Sequence, residues 1–305
     1  MPSLTICVSL VILAASTASQ AATKILQSND DGWAVANIRA QYSALVSAGY
    51  DVILSAPAEN ESGTGSSTTT PTPLTEPCEY DSCPTGSPAE GYNSSNTRLN
   101  YVNAYPVDSV KYGIQTLGPK FWSSGPNFVV SGPNVGNNLG SSTVAISGTI
   151  GAACEAVKEG YPAVAFSGAS GSQVSYTTLS NTSASSTQAA NLYSALTVKF
   201  TQALLASGTP YLPTGISVNV NYPSITNCAS VSNYKFVLTR ITANSSATDV
   251  TTCGTDHLPA ESTVVAASGC YVSVSVFNAS TKADVGASTQ ATVLNKLGSS
   301  FFSCY

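Results

Sequence analysis

Residues 24–32 read Lys24-Ile-Leu-Gln-Ser-Asn-Asp-Asp-Gly32. An apolar pair, Ile25-Leu26, runs into a turn-forming quartet, Asn29 to Gly32. Val35, Ile38, Tyr42, Leu45 and Val46 then recur at helical spacing, and Gly49 fits the end of that helix. The stretch predicts a strand that delivers two adjacent carboxylates, Asp30 and Asp31, to a tight turn at its C-terminal end. Tyr50 to Ser55 reads as a second strand, so the three elements form a β-α-β unit with a parallel pair and a right-handed crossover. Ligands bind beyond the carboxyl ends of strands in open α/β sheets, and the Asp pair stands at such an end.

The same alternation continues. Leu99–Ala104, Phe128–Ser131, Tyr161–Ser167 and Gly215–Asn221 read as strands. Val107–Leu117, a segment opened by Ser147-Gly-Thr149, and Ala189–Ala206 read as helices. Residues 58–97 and 168–187 are polar and loop-like, and residues 132–140 form a Gly/Asn-rich turn. Past residue 221, Lys235–Ile241 and Tyr271–Phe277 read as strands and Ala287–Leu297 as a last helix. The expected class is α/β: a Rossmann-like, doubly wound, mostly parallel sheet flanked by helices, with a smaller β-rich C-terminal extension. Residues 22–305 are expected to form one domain, with a core over 24–223 and the β-rich part over 224–305.

Composition narrows the setting. Of 305 residues, 43% are hydrophobic and only 9% charged, with Ser, Thr, Asn and Gly filling the polar positions. Net charge is −5 and no basic patch exists, which argues against a nucleic-acid groove. Residues 1–21 read as a signal peptide, with an apolar run from Ile6 to Ala15 and Ser19-Gln20-Ala21 at a plausible cleavage point. That run is too short for a span, and no later segment suits a bilayer. A secreted chain is expected, with glycosylation sequons at Asn60, Asn93, Asn181, Asn244 and Asn278. Removing residues 1–21 leaves seven cysteines. Cys154 on an apolar helix face is the expected free one, Cys78–Cys83 a local loop closure, and the pairing of the other four is open.

The residue inventory excludes several chemistries. His257 is the single histidine, so paired-His metal motifs are absent. No P-loop, G-x-G-x-x-G, G-x-S-x-G or C-x-x-C occurs. Carboxylates, amides and hydroxyls at strand ends remain. Asp30 and Asp31 suit one hard cation such as Mg²⁺ or Mn²⁺, although Asn29–Asp31 also suit a capping turn. The amide oxygen of Asn134 is a neutral ligand candidate, and Ser62 falls in the loop after the second strand. Gly148 and Thr149, opening a helix at Ser147, offer backbone N–H groups to an anion.

Four segments carry a resemblance to the survival protein E (SurE) family: S-N-D-D-G at 28–32, A-P-A-E-N-E-S-G at 56–63, V-V-S-G-P-N-V-G-N-N-L-G at 129–140 and S-G-T-I-G-A-A-C-E-A at 147–156. P-V-D-S at 106–109 and Ile216–Pro223 are similar to two further family segments, and the likeness covers about residues 24 to 280. It implies a metal-dependent nucleotidase or phosphatase acting on a small phosphomonoester. It also implies Asp30, Asp31, Ser62 and Asn134 as metal ligands, Asn29, Ser147, Gly148 and Thr149 beside the phosphate, and Asp30, Asn134 and Ser147 in catalysis. Trp33-Ala-Val-Ala-Asn37, Pro133 and the 64–98 insertion depart from the family pattern. Two other readings follow from the same residues. One is an inactive secreted binding protein that keeps the fold; the other is a glycoside hydrolase pairing Asp30 with a distant acid such as Asp108. The sequence leaves the oligomeric state open, a homodimer included.

Overall fold

The structure is a computed structural model that describes residues 22–305; the expected signal peptide at 1–21 lies outside the described residues. Nine strands form one sheet: Lys24–Ser28 (β1), Asp51–Pro57 (β2), Glu90–Asn93 (β3), Asn96–Val102 (β4), Phe128–Val135 (β5), Ala163–Gly168 (β6), Ile216–Tyr222 (β7), Lys235–Thr239 (β8) and Tyr271–Asn278 (β9). Their order is β3-β4-β2-β1-β5-β6-β7-β9-β8. The six strands from β4 to β7 run parallel. β3 is antiparallel at one edge, and β9 is antiparallel to β7. The expected doubly wound, mostly parallel sheet is present. The β-rich C-terminal part is continuous with it, because β9 pairs along β7 and β8 pairs along β9.

From β1 the chain winds outward through β2 to β4, then returns to lay β5 against the other side of β1. The winding direction reverses at that point, so a crevice opens beyond the carboxyl ends of β1 and β5. Strand alternation sends Ile25, Phe128 and Val130 to one core with Tyr193 and Phe200 of Ser185–Ala206 (α6). Leu26 and Val129 face the other core with Val110 of Pro106–Tyr112 (α2) and Ile150 and Cys154 of Gly148–Lys158 (α5). Each fully buried side chain of this size contributes roughly 1.5–3 kcal/mol. Ala36–Ser47 (α1) packs on α6, and α2 packs on α5, so helices cover both faces.

Several local readings change. The segment read as a 58–97 loop contains β3 and the start of β4, and a third core of Trp33, Leu54, Leu74, Cys78, Cys83 and Leu99 lies beneath it. The helix read over 107–117 starts at Pro106 and is followed by a π-turn and Gly118–Trp122 (α3). β5 runs on to Val135 into the region read as a turn. Gly140–Ile146 (α4) and Glu261–Ala266 (α7) carry too little periodicity to be read from pattern; Ala287–Leu297 (α8) sits where it was read. The disulfides are Cys78–Cys83, Cys228–Cys270 and Cys253–Cys304, and Cys154 is free and buried. Among the described residues no helix is long and apolar enough to cross a membrane.

Candidate active site

Asp30 and Asp31 leave β1, Asn134 comes from β5, and Thr149 comes from the first turn of α5; they meet at the switch point. Asp30 is buried, and its Oδ2 accepts the Thr149 N–H at 2.9 Å while Oδ1 accepts the Thr149 hydroxyl at 2.5 Å. This close approach needs Gly148. A Cβ there would fall 2.7 Å from the Asp30 Cβ and 2.9 Å from Pro106 Cγ. Asp31, also buried, accepts from the Val135 N–H through Oδ2 at 2.8 Å and from Gln173 Nε2 through Oδ1 at 2.7 Å.

Asn134 is aimed by a break in the β5 register between Ser131 and Asn134. Gly132 makes the break possible: its φ is +107°, and a Cβ would lie 2.2 Å from the Phe166 carbonyl oxygen. The Asn134 amide donates to the Gly136 carbonyl at 2.7 Å, which leaves its Oδ1 turned toward the Thr149 hydroxyl at 3.4 Å. The loop beyond is anchored from the C-terminal third. Glu261 on α7 accepts from Gly140 N at 2.7 Å, from Asn219 Nδ2 at 3.0 Å and from Ser275 Oγ at 2.9 Å.

Electrostatics explain what the site needs. Burial pushes the Asp30 carboxyl up, against the hydrogen bonds from Thr149. Burial, followed by the neighbouring Asp30 charge, pushes Asp31 up to about 8. Among the described residues neither carboxylate forms an ion pair. Arg39 is buried nearby in sequence, but its Nε donates to the Trp33 carbonyl at 2.6 Å, with the guanidinium between the Trp33 and Tyr176 rings. Two adjacent buried carboxylates without a basic partner repel one another. A cation reverses that sign, and the donors here are all oxygen, which fits Mg²⁺ or Mn²⁺. Among the described residues no three Asp, Glu, His or Cys side chains cluster to hold a metal. A cation at this point would rest on two carboxylates and neutral oxygens.

The other expected residues take distinct places. The Asn29 side chain closes on its own turn, donating to Gly32 O at 3.0 Å and accepting from Gly32 N at 3.3 Å. Ser147 caps α5, its Oγ accepting from Ile150 N at 3.2 Å. At the α5 N-terminus the Thr149 N–H turns to the Asp30 carboxylate, with Ser147 and Gly148 in the same turn. Ser62 is exposed and next to Glu61, whose N–H donates to the Asp30 carbonyl at 2.7 Å. Asp108 accepts from the Thr68 hydroxyl and from Thr69 N, pinning the insertion to α2, and so is not a free second acid for glycoside hydrolysis. His257 bonds Ala247 O at 2.8 Å and borders a separate groove with Leu238, Pro259 and Tyr305.

Two neighbours of the site carry no sequence signal. Gln173 lies in a low-complexity loop. Glu79 lies in the Cys78–Cys83 loop; its carboxylate accepts from Ala34 N at 2.8 Å and packs against Gly32, where a Cβ would meet it at 2.3 Å. Burial pushes Glu79 up to about 8, and the Glu59 and Asp31 charges add to that.

Comparison with known proteins agrees with this architecture. The sequence model of the family described as Survival protein SurE matches residues 25–249. An acid phosphatase of Yarrowia lipolytica is 34% identical over 305 residues, covering 90% of this chain and 84% of that one. A 5'-nucleotidase SurE of Methanocella arvoryzae is 38% identical over 148 residues, and the match spans 47% of this chain and 48% of that one. The crystal structure of the SurE protein from Aquifex aeolicus superposes with a TM-score of 0.58 at 23% identity, over 84% of this chain and 93% of that chain, which speaks to the fold.

Proposed function

The chain belongs to the survival protein SurE family, and from that membership we propose that it hydrolyses small phosphomonoesters, nucleoside monophosphates among them, with Mg²⁺ or Mn²⁺ held by Asp30, Asp31, Asn134 and Ser62. The observation that carries the reading is the buried Asp30–Asp31 pair, which has no basic partner among the described residues, beside the amide oxygen of Asn134. Phosphoryl transfer requires positive charge opposite the phosphoryl oxygens. With 11 Lys and Arg in the chain and, among the described residues, none paired to Asp30 or Asp31, the cation is the economical source of that charge.

The chain's own groups do the positioning. Thr149 turns Asp30 through two hydrogen bonds, and Val135 and Gln173 turn Asp31. Ser147 holds the α5 terminus that presents Thr149. The exposed side of the site, where Ser62 lies, is left for the substrate. We also propose a secreted protein with a signal peptide over residues 1–21. Three disulfides and sequons at Asn93, Asn181, Asn244 and Asn278 that lie, exposed or half-buried, at strand ends or in loops support this. The test is hydrolysis of p-nitrophenyl phosphate and AMP with Mg²⁺ or Mn²⁺, then with EDTA. Activity is expected to disappear with EDTA and in Asp30→Asn; equal rates with and without chelator would end the proposal.

A further inference from the structure

All five sequon asparagines make the same local turn, accepting from the N–H two residues on: Asn60 from Ser62 at 3.0 Å, Asn93 from Ser95 at 2.9 Å, Asn181 from Ser183 at 3.2 Å, Asn244 from Ser246 at 3.0 Å and Asn278 from Ser280 at 2.9 Å. Asn60 differs in what its amide nitrogen does. It donates to Gln173 Oε1 at 2.9 Å, and Gln173 Nε2 donates to Asp31 Oδ1 at 2.7 Å. Every orientation in this relay is forced. The Ser62 N–H fixes the Asn60 oxygen, so its nitrogen must donate to Gln173 Oε1, and that turns the Gln173 nitrogen to Asp31. Gln173 itself is held in place from behind. Val174 O accepts from Ala36 N at 2.9 Å and Tyr176 N donates to Ala34 O at 2.8 Å, zipping the loop to the start of α1.

We propose that Gln173 is a positioning residue for the cation site: through the relay Ser62–Asn60–Gln173–Asp31 it fixes the Ser62 loop relative to Asp31, so that cation affinity depends on an amide that is not itself a ligand. This rests on the reading of Asp31 and Ser62 as ligands. Hydrogen-bond partners that orient ligands commonly matter about 10–100-fold in affinity. The relay also commits the atom of Asn60 to which a glycan would be attached, and no such engagement exists at the other four sequons among the described residues.

The experiment is calorimetric titration of Mn²⁺ into the whole mature chain made without N-glycans, as wild type, Asp31→Asn, Gln173→Ala, Asn60→Ala and the Gln173→Ala/Asn60→Ala double variant. Gln173→Ala is expected to weaken Mn²⁺ binding about 10–100-fold with an unchanged melting temperature, and most of kcat is expected to return at saturating Mn²⁺. Asn60→Ala should weaken binding less, and the double variant should be no worse than Gln173→Ala, since both cut one relay. Wild-type affinity in Gln173→Ala together with lost binding in Asp31→Asn overturns the inference and leaves the proposed function standing. Additive effects of the two single variants overturn the relay. A wild-type chain that binds no Mn²⁺ overturns both.

Discussion

Thr149 shows how one side chain divides its work. Its N–H and its hydroxyl both reach Asp30, and the hydroxyl also approaches Asn134 Oδ1. Thr149→Val keeps the shape and the N–H but removes the hydroxyl donor. We expect kcat/KM for p-nitrophenyl phosphate to fall about 10–100-fold, with Thr149→Ser retaining most of it; steady-state kinetics at saturating Mn²⁺ checks this. At this scale the sequence was legible in its carboxylates. Asp30, Asp31 and Asn134 each suit a plain turn on their own; they stood out because their turns fall together on one sheet edge. Gln173 and Glu79 did not, because a polar residue in a polar loop has no distinguishing pattern until the chain folds over the site.

At the scale of elements, α5 has a sharp start because Ser147 caps it and Gly148 lets it approach β1. Gly148→Ala adds one methyl group where the Asp30 Cβ would lie at 2.7 Å. The helix or the carboxylate must shift, and a displacement near 1 Å costs about 10²-fold in rate. We therefore expect Gly148→Ala to lose about two orders of magnitude in kcat/KM although no functional group has changed. A crystal structure or a Mn²⁺ titration of that variant reads the displacement directly. The strands and long helices were legible from periodicity. α4 and α7 were not, since they are short and few of their residues face a core. The insertion was read as loop because its small core under Trp33 is assembled from residues far apart in sequence.

Across the whole molecule, the C-terminal third is part of the structure that holds the site. Arg240 at the end of β8 is paired with buried Asp249, which also accepts from Gln290 Nε2 on α8 at 2.7 Å and from Leu258 N at 2.9 Å. Removing one member of a buried pair typically costs about 3–5 kcal/mol, and we expect Asp249→Ala to lower stability to that extent in urea unfolding. The buried acids give a second expectation. Asp31 and Glu79 are pushed up to about 8, and burial pushes Glu261 up to about 7. Folded-state values above the ordinary ones mean that the native chain binds more protons than the unfolded one in this window, so stability falls as pH rises. In EDTA the melting temperature should therefore drop between about pH 5 and pH 8, with Mn²⁺ flattening the upper part and Glu261→Gln removing its share. A melting temperature that rises through that range contradicts the assignment. By itself the sequence determined the parallel α/β sheet, the free Cys154 and the strand ends that carry the acids. Hydrophobic period and turn chemistry are local, and they are written residue by residue. The tertiary structure alone decided that Thr149 at the α5 N-terminus turns to Asp30, that Gln173 and Asn60 bridge to Asp31, and that β8 and β9 extend the main sheet. Those outcomes depend on which segments meet across long sequence separations, and a local pattern does not encode that.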